Sequence, residues 1–270
     1  EHLAVLQLVQ AVAAAVPEDA ALTPLLPRVL ELAAGGRQGF PPFRAVRIVA
    51  TEVLASLSYG RHRREDVAAL FTSPEVEALI ASGADTGHAH CFTLSLLLAN
   101  LCDLGAPPEG PGPRFGDLGR PLWDRVGFFD DLPACLASAF RGERWPPETG
   151  GYHVPWKLVS TCLRLVLAGH AEDLRGCVAP LVAAVEARSA TEPPGVDAAR
   201  TARLASVALR GLLDDVDVVA KMREASATFV ESLQAMASEE PAASDLLDVL
   251  AGGSESNVAR DGLLEVADTS

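Results

Sequence analysis

RIVATEVLASLSYG, residues 47–60, decides how this chain folds. Its Ile, Val, Ala and Leu residues cover nearly all sides of a helix, and the run closes on Gly60. A helix that is apolar almost all round must be packed almost all round by other helices. The phrase returns as TLSLLLANLCDLG (93–105), LVSTCLRLVLAGH (158–170) and ASVALRGLLDD (205–215), each ending in Gly, Asp or a residue just beyond Gly. With Ser56, Asn100, Val166 and Gly211 taken as equivalent points, the steps are 44, 66 and 45 residues. A unit that recurs at such a period and cannot bury its apolar faces alone stacks on its neighbours into an α-solenoid. The 66-residue step is then one unit carrying extra loop.

Composition agrees with helix on helix. The 270 residues are 49% hydrophobic but only 5% aromatic, so the interior is made of Ala, Leu and Val at close helix spacing. A single core rarely grows with a chain of this length, and a stack of repeats avoids that limit. Apolar runs such as 92–101 are too short to cross a bilayer, so no membrane insertion is expected. Five cysteines, Cys91, Cys102, Cys135, Cys162 and Cys177, sit inside helical patterns without CxxC spacing. They read as small core residues of an intracellular, cytoplasmic protein rather than a disulfide framework. The chain begins with Glu1, which suits a processed product or an excerpt of something longer.

The net charge of −14 is unevenly placed. Residues 211–270 hold 3 Lys/Arg against 13 Asp/Glu, whereas residues 121–210 hold 10 of each. Such a surface repels phosphate backbones, so nucleic acid is not expected as a partner. The acidity at residues 216–270 reads as the wettable outer face of a terminal cap, with an acidic docking surface as the other reading.

Two stretches interrupt the repeat. Residues 105–121, GAPPEGPGPRFGDLGRP, and residues 141–155 are rich in Pro and Gly and read as loop insertions. Between them, residues 122–140 form one helix. Trp123, Trp145 and Trp156 all fall in or beside these insertions. Trp is enriched at binding hot spots, and it equally serves to pack loops onto a scaffold. The basic run Arg61-His62-Arg63-Arg64 reads as a solvated turn that favours the end of the preceding helix, or else as a contact for phosphate or an acidic partner.

Chemistry finds little support. His88, His90 and Cys91 lack the second ligand pair that zinc needs. There is no GxSxG, no strand to carry one, and no GK[ST] after a glycine loop. Cys162 and His170, eight residues apart on one helical segment, lie too far apart along its axis to form a dyad. No catalytic residue, metal, cofactor or small-molecule ligand is expected.

The stretch SPEVEALIASGADTGHAHCFTLSLLLANLC, residues 73–102, resembles the armadillo/HEAT superfamily in its order of short helix, helix and longer buried helix, and in its Ala99-Asn100-Leu101 ending. The resemblance implies an all-α, right-handed α-solenoid: one repeat domain over 1–270, with insertions at 105–121 and 141–155 and an acidic cap at 216–270. It also implies a non-enzymatic protein–protein scaffold or adaptor. The alternatives are a helical regulatory or targeting domain of an enzyme such as a kinase or ubiquitin ligase, or a structural subunit of a large assembly. Armadillo proteins that hold extended peptides use a ladder of Asn residues, with Trp one turn earlier. Here Asn100 stands alone, its equivalents being Ser56, Val166 and Gly211, so a more general scaffold is expected. The candidate partner-binding residues are Ser56, Asn100, Trp123, Trp145, Trp156 and Arg210.

Overall fold

The computed structural model describes residues 2–15, 20–34, 44–59, 61–71, 73–83, 87–104, 114–147, 151–189 and 198–252. Its elements are helices apart from one two-stranded antiparallel ribbon. The chain divides into two compact units, Glu1–Phe128 and Phe129–Ser270.

The first unit holds α1 (His2–Ala15), a 3₁₀ segment (Ala20–Leu25), α2 (Leu26–Ala33), α3 (Arg44–Leu57), α4 (Arg61–Ala69), α5 (Ser73–Gly83), α6 (His88–Leu101) and α7 (Phe115–Val126). Two of the four repeated phrases form most of α3 and α6. In α6 every residue from Leu94 to Leu101 is buried, as are His90, Cys91 and Phe92; this is the all-round burial that its composition demands. α3 packs on α1, α2 and α6. His90 Nε2 lies 2.9 Å from Thr51 Oγ1 near the middle of α3, and Asn100 Nδ2 donates to Ser58 Oγ at its end, 3.0 Å away. The two buried helices therefore run in the same direction, with their C-terminal ends together.

α7 begins at Phe115, so residues 115–121, expected as loop, are helical; residues 105–113 lie outside the described residues. The Pro and Gly content misleads here because each does something specific. Gly119 leaves room for an indole, since a Cβ there would come within 2.9 Å of Trp123. Gly127, at φ +65°, ends α7 in the left-handed conformation while its N–H bonds the Trp123 carbonyl. That turn also splits the single helix expected over 122–140.

The second unit follows with α8 (Phe128–Phe140, whose first residue belongs to the first unit), β1 (Arg144–Trp145), β2 (Gly151–Tyr152), α9 (Pro155–Leu167), a 3₁₀ segment (Ala171–Cys177), α10 (Val178–Glu186), a short 3₁₀ turn (Ala187–Ser189), α11 (Ala198–Arg210), α12 (Val216–Arg223), α13 (Ala227–Met236) and α14 (Pro241–Leu250). The ribbon pairs Arg144 with Tyr152 and Trp145 with Gly151 inside the expected 141–155 interruption. The other two phrases form α9 and α11, which pack on each other, and α11 packs in turn on α10 and α14. Leu158 to Val166 are buried without a break. Asp215 caps α12 by accepting from the amides of Asp217 and Val218, at 2.9 and 3.4 Å. Ser226 caps α13 through the Phe229 amide, so residues 216–236 form two helices and not one. Of the expected cap, 253–270 lie outside the described residues, and with them the last helical segment expected at 257–267.

Candidate functional site

Two of the candidate residues, Asn100 and Trp123, lie in the interior of the fold. Asn100 is fully buried; its amide reaches Ser58, whose hydroxyl donates to the Ala55 carbonyl at 2.7 Å. It closes the last turn of α3, where helix carbonyls lack intrahelical partners. A peptide lying on the surface does not meet it. Trp123 is fully buried too, stacked on Phe128 with centroids 6.0 Å apart and donating from Nε1 to the Ser95 carbonyl at 3.3 Å. Ser56 is part-exposed on α3.

The basic run at residues 61–64, expected as a turn, instead opens α4. Arg64 is buried, and its Nη1 lies 2.7 Å from both carboxylate oxygens of Asp103. Asp103 follows the C-terminus of α6, where a negative charge is unfavourable; the guanidinium compensates both. This contact joins residues 39 positions apart, and no short-range pattern announces it.

The remaining candidates gather at the two ends of the α9–α11 pair. At the C-terminal ends a groove of about 570 Å³ is lined by Val166, Arg210, Gly211, Asp214 and Val216 among others. The equivalent points Val166 and Gly211 thus share one groove. Arg210 pairs with Asp245 of α14 at 2.6 Å, and Arg175 bonds Asp215. Val216, 73% exposed, is the large apolar residue that this wall presents to solvent.

At the N-terminal ends, Arg200 of α11 stands over the Trp156 indole with Cζ 3.7 Å from the ring centroid, and Lys157 Nζ lies 5.7 Å from the same ring. Burial, and then the charge of Arg200, hold the Lys157 ammonium below the ordinary lysine range. Trp145 is half-buried in β1; its Nε1 has no hydrogen-bond partner among the described residues. Burial lowers the His153 pKa, against a hydrogen bond to the Trp145 backbone that raises it.

Cys91, Cys135, Cys162 and Cys177 are buried. The Cys162 thiol is held well above the usual range, first by its hydrogen bond with Cys177 and then by burial, and burial raises Cys135. Thiols in such surroundings are poor nucleophiles. Among the described residues, no group of three or more His, Cys, Asp or Glu could hold a metal ion, and no helix is long and apolar enough to cross a membrane.

Comparison of the chain with protein families, curated proteins and solved structures returns no match.

Proposed function

We propose that this chain is a non-enzymatic scaffold built of armadillo/HEAT-like repeats wound into a right-handed solenoid, and that it works by holding a protein partner. The observation that carries this reading is the sequence separation of the side-chain bonds between helices. Thr51–His90 and Arg64–Asp103 are 39 residues apart, Ser58–Asn100 42, Arg175–Asp215 and Glu186–Ser226 each 40 and Arg203–Glu240 37, while Trp123–Ser95 and Arg223–Val249, at 28 and 26, join elements closer in sequence. In a stack of repeats each residue meets a neighbour one repeat later, so such bonds fall near one period. Both units carry the same separation, and α3 with α6 and α9 with α11 are the parallel neighbours that such a stack requires. Five free thiols suit the reducing, intracellular setting of this reading.

The surface assigned to the partner is the groove at the C-terminal ends of α9 and α11. It combines the exposed Val216 with carboxylates, and so suits a partner offering an apolar side chain among basic ones. Binding of a candidate partner to the full chain, measured against Asp214→Lys/Val216→Glu, tests it. The expected result is one-to-one binding that the double variant weakens at least about tenfold, with helical circular dichroism unchanged. Undiminished binding would overturn the groove assignment. An experimental structure in which no common right-handed rotation relates α3 to α6 and α9 to α11 would overturn the solenoid.

A further inference from the structure

We propose that Cys162 and Cys177 are a redox modification site: a peroxide converts them to a reversible disulfide that ties the 3₁₀ segment Ala171–Cys177 to α9. Three cysteines of the second unit, Cys135 of α8, Cys162 of α9 and Cys177 at the end of that segment, are fully buried. The elements that carry them meet in one region. α9 packs on the 3₁₀ segment. A Cβ added at Gly176 would come within 3.0 Å of Pro133 Cγ, so the backbone beside Cys177 lies against α8 close to Cys135. Cys162 and Cys177 share a hydrogen bond between their thiols, and Cys135 is near enough to act on both electrostatically. A hydrogen bond between thiols already holds the two sulfurs in contact. Closing them to the S–S length of about 2.05 Å is then a local move of two side chains.

The cover over this pair is the weakest kind of helix. A 3₁₀ turn makes poorer hydrogen bonds than an α-helix, and a short connecting segment is where local opening costs least. In the closed form the hydrogen bond to Cys177, and then burial, hold the Cys162 thiol protonated, so oxidation waits on that opening. Once water reaches Cys177, its thiol ionises. The thiolate attacks one oxygen of hydrogen peroxide, the O–O bond breaks, and the departing hydroxide takes a proton to leave as water; Cys177 is now a sulfenic acid. The Cys162 sulfur then attacks that sulfur, the S–S bond forms, the S–O bond breaks, and the second oxygen leaves as water with the Cys162 proton. Two thiols give up two electrons and one peroxide accepts them. The 3₁₀ segment also supplies Ala171, Glu172 and Arg175 to the groove wall, and Val166 lies one turn beyond Cys162. The disulfide therefore stiffens one side of the surface assigned to the partner; that consequence rests on the scaffold reading, whereas the bond itself does not.

The test treats the full folded chain with hydrogen peroxide at neutral pH, blocks the remaining thiols with N-ethylmaleimide and maps tryptic peptides by mass. The expected product joins LVSTCLR (158–164) to GCVAPLVAAVEAR (176–188), lighter by two hydrogens than the separate peptides, and dithiothreitol returns both thiols. Cys162→Ala should abolish this product, and Cys135→Ala should leave its yield unchanged. The oxidised chain should keep its helical circular dichroism and melt no lower than the reduced chain, because a bond that suits the native arrangement constrains only the unfolded state. If a variant fails to fold, the peptide map of the parent chain decides. A disulfide that takes in Cys135, sulfinic acid at Cys177 without an S–S bond, or thiols at 162 and 177 still fully alkylated after peroxide overturns the proposal. So does a disulfide formed only with loss of helix, which would belong to the unfolded chain. The mass readout involves no partner, so failure of the bond and failure of the groove assignment are told apart.

Discussion

Removing one partner of the Arg64–Asp103 pair should be among the most damaging polar substitutions in the first unit. The side chains are 6% and 4% exposed, so Arg64→Met strands a carboxylate in the interior at the negative end of α6, and Asp103→Asn strands a guanidinium. Breaking a buried pair from one side costs about 3–5 kcal/mol, because the remaining charge loses its partner without regaining water. Arg64→Met/Asp103→Leu removes both charges and should return to within about 2 kcal/mol of the parent, since desolvation of the pair had offset most of its attraction. Urea unfolding measures this cleanly in a Trp145→Phe/Trp156→Phe background, where emission comes from Trp123 alone. With a slope of about 2 kcal/mol per molar for a unit of this size, each single variant should lower the midpoint by roughly 2 M. Single-variant losses below about 1 kcal/mol, the level of an exposed pair, would refute the reasoning.

Two further outcomes follow from the same unit. His90 is pushed down from 6.5 to about 4 by burial and then by Arg47 and Arg44, so between those values the unfolded chain binds the proton that the folded chain refuses. Its contribution is therefore complete above about pH 6.5 and is lost as pH falls toward 4, by roughly 3 kcal/mol in all. Unfolding free energy measured from pH 7 to 4 should fall less steeply in His90→Gln; parallel curves would remove His90 from the account. At Gly127, with φ +65° and ψ +36°, Gly127→Ala should cost about 1–2 kcal/mol and Gly127→Asn clearly less, because only short polar side chains tolerate that conformation. Equal thermal midpoints for the two variants would contradict this.

The role of Thr51 at His90 shows how one buried contact is specified. Thr51 Oγ1 donates to the Arg47 carbonyl at 3.0 Å, so it accepts from His90 Nε2, which fixes the neutral ring with its proton on that nitrogen. Burial alone would leave both ring nitrogens in need of partners. The sequence marks His90 only as a histidine near a helix start, with nothing to say which nitrogen is protonated or what it meets.

What the sequence by itself determined is what short windows encode: four helices apolar on nearly all sides, their spacing, and the Pro and Gly residues that punctuate them. These are legible because helical periodicity and backbone restriction act within a few residues. The same windows misled at residues 61–64 and 115–121. There, charge and glycine read as loop, while a distant carboxylate in one case and a close-packed indole in the other make helix the better state. Tertiary structure alone decided that Asn100 and Trp123 serve the interior, that Trp156 carries Arg200, and that Val166 and Gly211 share a groove with Arg210. Each is a meeting of residues many positions apart, and which side chain meets which depends on how one helix lies against another, a choice made by the summed packing of whole faces rather than by any local run.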